Sequence, residues 1–122
     1  MQVRWTSRIL SSYVSSVVCD GDYVYGMNDG GEWAALRITD GKVMWRGGNH
    51  GTFCSPVVAG GRLLGLNEFG ELLVLSASPS EYRELATVEL ARSATWTMPA
   101  VVGSRIYVRS EQGVSCFDFA RR

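Results

Sequence analysis

The chain has 122 residues, with 12 Lys+Arg against 12 Asp+Glu, 46% hydrophobic and 20% charged residues, enough for one compact domain with a core and too few for two. Zero formal net charge, with the basic residues scattered, removes the long-range pull on phosphate that nucleic-acid binders carry. No apolar run approaches the roughly 20 residues of a membrane helix or the roughly 7 to 15 of a signal-peptide core, so no nucleic acid, membrane span or self-directed export is expected, and the compartment stays open.

Fourteen Gly, only three Pro and short Val-, Tyr-, Trp- and Thr-bearing runs between Gly and Asp breaks predict many short strands. The first is Gln2-Val3-Arg4-Trp5-Thr6. A hairpin follows over Ser16–Tyr25, turning at Asp20-Gly21 and led by Tyr13. After the break at Gly31 comes a third strand, Glu32–Leu36, then the tight turn Asp40-Gly41 and a fourth strand ending in Trp45. The order then recurs. Phe53 leads a second hairpin, Pro56–Gly65, aligned without a gap on the first at an offset of 40. Gly70 precedes Glu71–Leu75, and Ser76–Tyr82 is a longer insert. Ser80–Ala91 is the best helical candidate, but the alternation in Thr87-Val88-Glu89-Leu90 favours a strand. A third copy runs from Trp96 through the hairpin Pro99–Val108, offset by 43 from the second, to Gly113 and the strand Val114–Asp118.

Four short strands repeating every 40 or so residues are the pattern of a propeller blade, which cannot bury both faces alone and stacks on its neighbours. The expected fold is therefore all-β, with three blade equivalents of four antiparallel strands. Residues 1–10 form a closing strand, 11–50 blade 1, 51–92 blade 2, and 93–122 the first three strands of blade 3. Gln2–Thr6 matches Lys42–Arg46, again at an offset of 40, so the chain opens on a fourth strand and closes on a third, Ser115–Phe119. Such ends complement one another.

The run Ala35-Leu36-Arg37-Ile38-Thr39-Asp40-Gly41-Lys42-Val43-Met44-Trp45 resembles the tryptophan-docking motif of quinoprotein-type propellers, the pyrroloquinoline-quinone-like repeat superfamily. Ala, Gly and Trp fall in their places, while Arg37 stands where the family has Asp and Asp40 where it has Thr. Ser55–Val58 followed by Gly-Arg-Leu-Leu also resembles the opening of such repeats. The resemblance implies a propeller that elsewhere serves both binding and catalysis. Quinoprotein dehydrogenases of that superfamily can carry a disulfide between adjacent cysteines near the cofactor, and this chain has no adjacent pair.

Three blades cannot close a ring, since propellers have about 4 to 8. A homodimer with six blades, each first strand completing the partner's last blade, is the simplest closure, and the remainder of a longer propeller is the other. The strand faces around Tyr23–Tyr25 and Ile106–Val108 are expected to be the exposed flanks.

Cys19, Cys54 and Cys116 have neither zinc nor disulfide-framework spacing and are expected as small buried strand residues. Asp20, Asp22, Asn28 and Asp29 lack calcium-loop spacing and read as turn formers. Gly47, Gly48 and Gly51 are not a phosphate loop, because no helix or Lys-Ser/Thr follows. Trp5, Trp33, Trp45 and Trp96 are expected to fill space between blades. His50, the only histidine, lies in the loop between blades 1 and 2. If a ligand site exists, the reading places it at the axial face on Tyr13, Phe53, Trp96 and His50. No catalytic, cofactor-binding or metal-binding residue is assigned, and no cofactor is expected. The favoured function is a non-catalytic module that binds protein or peptide. The alternative is a cofactor-binding or degenerate enzymatic part of a quinoprotein-type dehydrogenase.

Overall fold

The computed structural model describes residues 1–120. Among these residues eleven strands form three antiparallel meanders. Blade 1 is β1 (Val18–Asp20), β2 (Tyr23–Met27), β3 (Trp33–Arg37) and β4 (Val43–Gly47). Blade 2 is β5 (Cys54–Ala59), β6 (Arg62–Asn67), β7 (Glu71–Ser76) and β8 (Glu84–Glu89). Blade 3 is β9 (Ala100–Val102), β10 (Arg105–Ser110) and β11 (Gly113–Asp118). The described residues contain no helix, and the candidate at Ser80–Ala91 is the strand β8 and its approach.

Each inner hairpin turns on two residues, between the pairs Asp20↔Tyr23, Ala59↔Arg62 and Val102↔Arg105. The first of the two is Gly21, Gly60 or Gly103, at φ 58°, 56° and 59°, a left-handed conformation that costs a residue with a Cβ and suits the twist of the strands. The inner strands adjoin one another, β1 beside β5 and β5 beside β9, so the blades fan out from a common side with blade 2 in the middle.

That middle position explains why β6 and β7 read Leu-Leu-Gly-Leu and Leu-Leu-Val-Leu without polar alternation. Successive side chains point to opposite faces, and blade 2 has a neighbour on each. Leu63, Leu73 and Leu75 meet Tyr25, Trp33, Ala35 and Trp45 of blade 1. Leu64, Leu66 and Leu72 meet Ile106 and Val108 of blade 3. Each such side chain contributes about 1.5–3 kcal/mol by leaving water.

The flanks differ from the expectation. Tyr25, Ile106 and Val108 are 1%, 6% and 2% exposed, because these residues face blade 2 and not the outside. The far face of blade 1 carries Gly26, against which Leu10 and Val17 lie closely enough that an added Cβ would sit 2.9 Å from Val17 Cγ1. The open face belongs to blade 3, where Val102 and Val114 are exposed. Cys116, paired with Tyr107, shares that face and is exposed, as is Cys19 opposite Val24 on the outside of blade 1. Only Cys54 is the buried strand cysteine expected of all three, since it alone sits on an inner strand flanked by blades. Residues 1–10, read as a closing strand, pair with no strand among the described residues. They lie against blade 1, which already has its own four.

Candidate binding site

The loops between blades hold the residues singled out from sequence, and two tryptophans dock onto neighbouring blades. Trp45, on β4, packs its ring 6.0 Å from Tyr25 and 5.6 Å from Tyr82. Its indole N–H donates to the Ser78 carbonyl at 2.6 Å. The Ser76–Tyr82 insert, which breaks the docking motif in the second copy, therefore supplies both the acceptor and an aromatic neighbour. Trp5 donates in the same way to the Ile38 carbonyl at 2.7 Å, with its ring over Gly41. A Cβ there would stand 2.7 Å from Trp5 Cε3, and Gly41 has φ +73°, so glycine answers both a backbone and a packing demand. Trp33 is fully buried with its indole N–H unpaired among the described residues, a core ring and not a docking one.

The turn beneath Trp5 uses a different pair from the family motif. Arg37 donates from Nε to Asp40 Oδ1 at 2.9 Å, and Lys42 N–H donates to the same oxygen at 3.1 Å. The guanidinium, then the backbone N–H, hold the Asp40 carboxyl down to about 2. An ion pair thus closes the turn where the family has Asp and Thr.

A second repeated device fastens the segments entering β1 and β5. Asn28 Oδ1 accepts the N–H groups of Gly30 and Glu32, and Asn67 Oδ1 those of Phe69 and Glu71. The acid after each Asn then reaches back. Asp29 accepts the Tyr13 N–H at 3.2 Å. Glu68 accepts Thr52 N–H at 2.7 Å, Thr52 hydroxyl at 3.0 Å and Phe53 N–H at 3.1 Å. Asn28 and Asp29 are turn formers as expected, with the carboxylate also anchoring an aromatic's backbone.

The four expected axial residues are not gathered into one place. Phe53 is buried and its ring lies 5.7 Å from that of Trp96. Trp96 is half exposed beside a small recess of about 180 Å³ that also touches Arg109 and Glu111. Tyr13 is 95% exposed, its side chain left to solvent although its backbone is anchored. His50 points to the outer strand of blade 2, where Nε2 donates to Glu84 Oε2 at 2.9 Å and lies 3.3 Å from the Tyr82 hydroxyl. Tyr82 itself donates to Glu84 at 3.1 Å. Burial, then the charge of Glu84 and the bond to it, push the Tyr82 phenol up to about 12. Burial works to raise the Glu84 carboxyl, but bonds from Thr87, His50 and Tyr82 outweigh it and the group ends below its ordinary range. Tyr82 stands on Gly47 and Gly48, where a Cβ would fall 2.8 Å and 2.7 Å from its ring and hydroxyl. The trio is a latch between the β4–β5 loop and β8.

Sequence reasoning missed Glu68, Tyr82 and Glu84. Glu68 had a signal, since it follows Asn67 as Asp29 follows Asn28 at an offset of 39. Tyr82 and Glu84 had none, because they lie in or beside the insert without a counterpart in the first copy.

No protein-family model and no curated protein matches the chain. Among solved structures, the crystal structure of BamB from Moraxella catarrhalis is similar over 95% of this chain, with 21% sequence identity and a TM-score of 0.74. The match takes up 36% of that chain, so this chain spans about a third of its length. At that identity the likeness establishes the fold: the three meanders are blades of a β-propeller.

Proposed function

We propose that the chain is a non-catalytic propeller module whose work is to bind protein, beginning with further blades of its own kind. The observation that carries this is the docking of Trp5. Its indole takes the place on blade 1 that Trp45 takes on blade 2, so Gln2–Thr6 lies as the outer strand of a preceding blade for which the described residues hold no sheet. Blade 3 has the converse need, with β11 at an open edge and Val102 and Val114 exposed on its outer face. Exposed edges and apolar faces of this kind are ordinarily covered.

A second copy satisfies both needs, its Gln2–Thr6 pairing with β11 to close six blades. In a longer chain the following blades do the same. The repeat type is that of the quinoprotein-like propellers, supported by the two docked tryptophans. The solution mass tests the second-copy closure: a dimer of twice 13.4 kDa is expected at micromolar concentration, and deletion of residues 1–7 should dissociate or aggregate it. A stable monomer of the full chain, or a truncated chain of unchanged mass, overturns that closure.

A further inference from the structure

Between blades 2 and 3 lies a groove of about 460 Å³, within the range of about 300–1,000 Å³ that takes small ligands. Leu64, Val74, Ala86 and Val88 of blade 2 face Ile106 and Phe119 across it, and among the described residues Arg62 is its one charged lining residue. The groove has a local cause. Ala35 pairs with Trp45 just before the bulge at Ala35/Leu36, and Val74 pairs with Ala86 just before the bulge at Val74/Leu75. Ala86 therefore holds on blade 2 the position that Trp45 holds on blade 1. The indole that fills the space between blades 1 and 2 is missing between blades 2 and 3.

We infer that the groove receives the tryptophan side chain of a partner polypeptide. Three observations select this occupant. The repeat-related space next door holds an indole, hydrogen-bonded through its N–H. The groove also continues the interface that the two blades already make, because Leu64, Leu72 and Ile106 belong both to its lining and to the packed cluster between them. An inserted ring thus extends existing packing. The third is polar. Phe119 N–H donates to the Ser104 carbonyl as Ile38 N–H donates to that of Asp22, so Phe119 is the counterpart of Ile38, whose carbonyl takes the Trp5 indole. The Phe119 carbonyl is the acceptor assigned to the incoming indole N–H, and Arg62 offers a cation for the face of the ring.

This deepens the protein-binding reading and rests on it, but its test is separate from the mass measurement. N-acetyl-tryptophanamide is titrated into the 15N-labelled full chain. Saturable amide shifts at Val101, Ile106 and Phe119 are expected, with N-acetyl-leucinamide at least about tenfold weaker because it lacks the ring and its N–H donor. Ala86→Trp should abolish the titration and raise Tm by about 5 °C by filling the space from within. Absence of saturable shifts in the unmodified chain overturns the proposal whether or not the variant folds. A folded Ala86→Trp with a lowered Tm overturns it too, as does free indole binding as tightly as the capped residue, which would assign the groove to a small aromatic molecule. A monomeric mass with an intact titration would sink the second-copy closure and leave the groove assignment standing.

Discussion

Trp5 and Trp45 make the same bond: each indole donates to the carbonyl of the residue 33 positions further on, Ile38 and Ser78. The first belongs to a segment with no strand partner among the described residues and the second to the outer strand of a complete blade, so docking of the ring does not need the sheet behind it. The two rings differ in burial, Trp45 being 8% exposed and Trp5 only half-buried.

Replacing Trp45 with Ala should cost about 3–5 kcal/mol in denaturant unfolding, through the cavity left among Tyr25, Tyr82 and Leu75. Replacing Trp5 should cost about 1–2 kcal/mol, a hydrogen bond and a partly buried ring. A loss below about 1 kcal/mol at Trp45 would show that the ring carries little of the blade packing.

Glu68→Ala should destabilise by about 2–3 kcal/mol, since it leaves the N–H of buried Phe53 without a partner and removes both bonds that hold Thr52. Asp29→Ala, at the more exposed repeat-related position, should stay under about 1 kcal/mol. Equal effects at the two sites would refute the role of burial in ranking them.

Asp40 is a depressed carboxyl, about 2 against an ordinary 3.8. Its contribution to stability is complete above the unfolded value and is lost as pH falls through the folded one, so the window runs from 3.8 down to about 2. In Arg37→Ala, a carboxyl 13C titration should find Asp40 moved up toward 3.8. An unmoved midpoint would mean that the guanidinium does not hold it down.

Tyr82 is shifted the other way, from 10 to about 12. A raised phenol favours its neutral form in the fold, so its contribution is complete below 10 and lost as pH rises through about 12. Glu84→Gln removes the charge and leaves the burial, and the Tyr82 ring resonance should then titrate below 12 and above 10. A midpoint that falls all the way to 10 would make the charge, not burial, the dominant cause.

The blades were legible in the amino-acid order because a blade is a local object. Its strands are joined by two-residue turns that demand glycine at fixed places, and its apolar residues recur with the pleat. Hence Gly21, Gly60 and Gly103, and the equivalence of Trp5 with Trp45, could be read directly. The faces of those blades were not legible in the same way. Alternation says that Cys116 and Phe117 point apart, but which of the two meets another blade depends on where blade 2 sits, so only Cys54 of the three cysteines is buried. The axial cluster dissolved for a related reason: His50 turned to Tyr82 and Glu84, partners supplied by an insert that has no repeat counterpart and a position that spacing does not report. Ala86 is not legible as the counterpart of Trp45 because the same insert shifts its offset from Trp45 to 41 residues against 39 for the strand beside it. Hydrogen-bonded pairing with Val74 restores the register and shows the gap that an alanine leaves, since a strand's partner is set across the sheet and not along the chain.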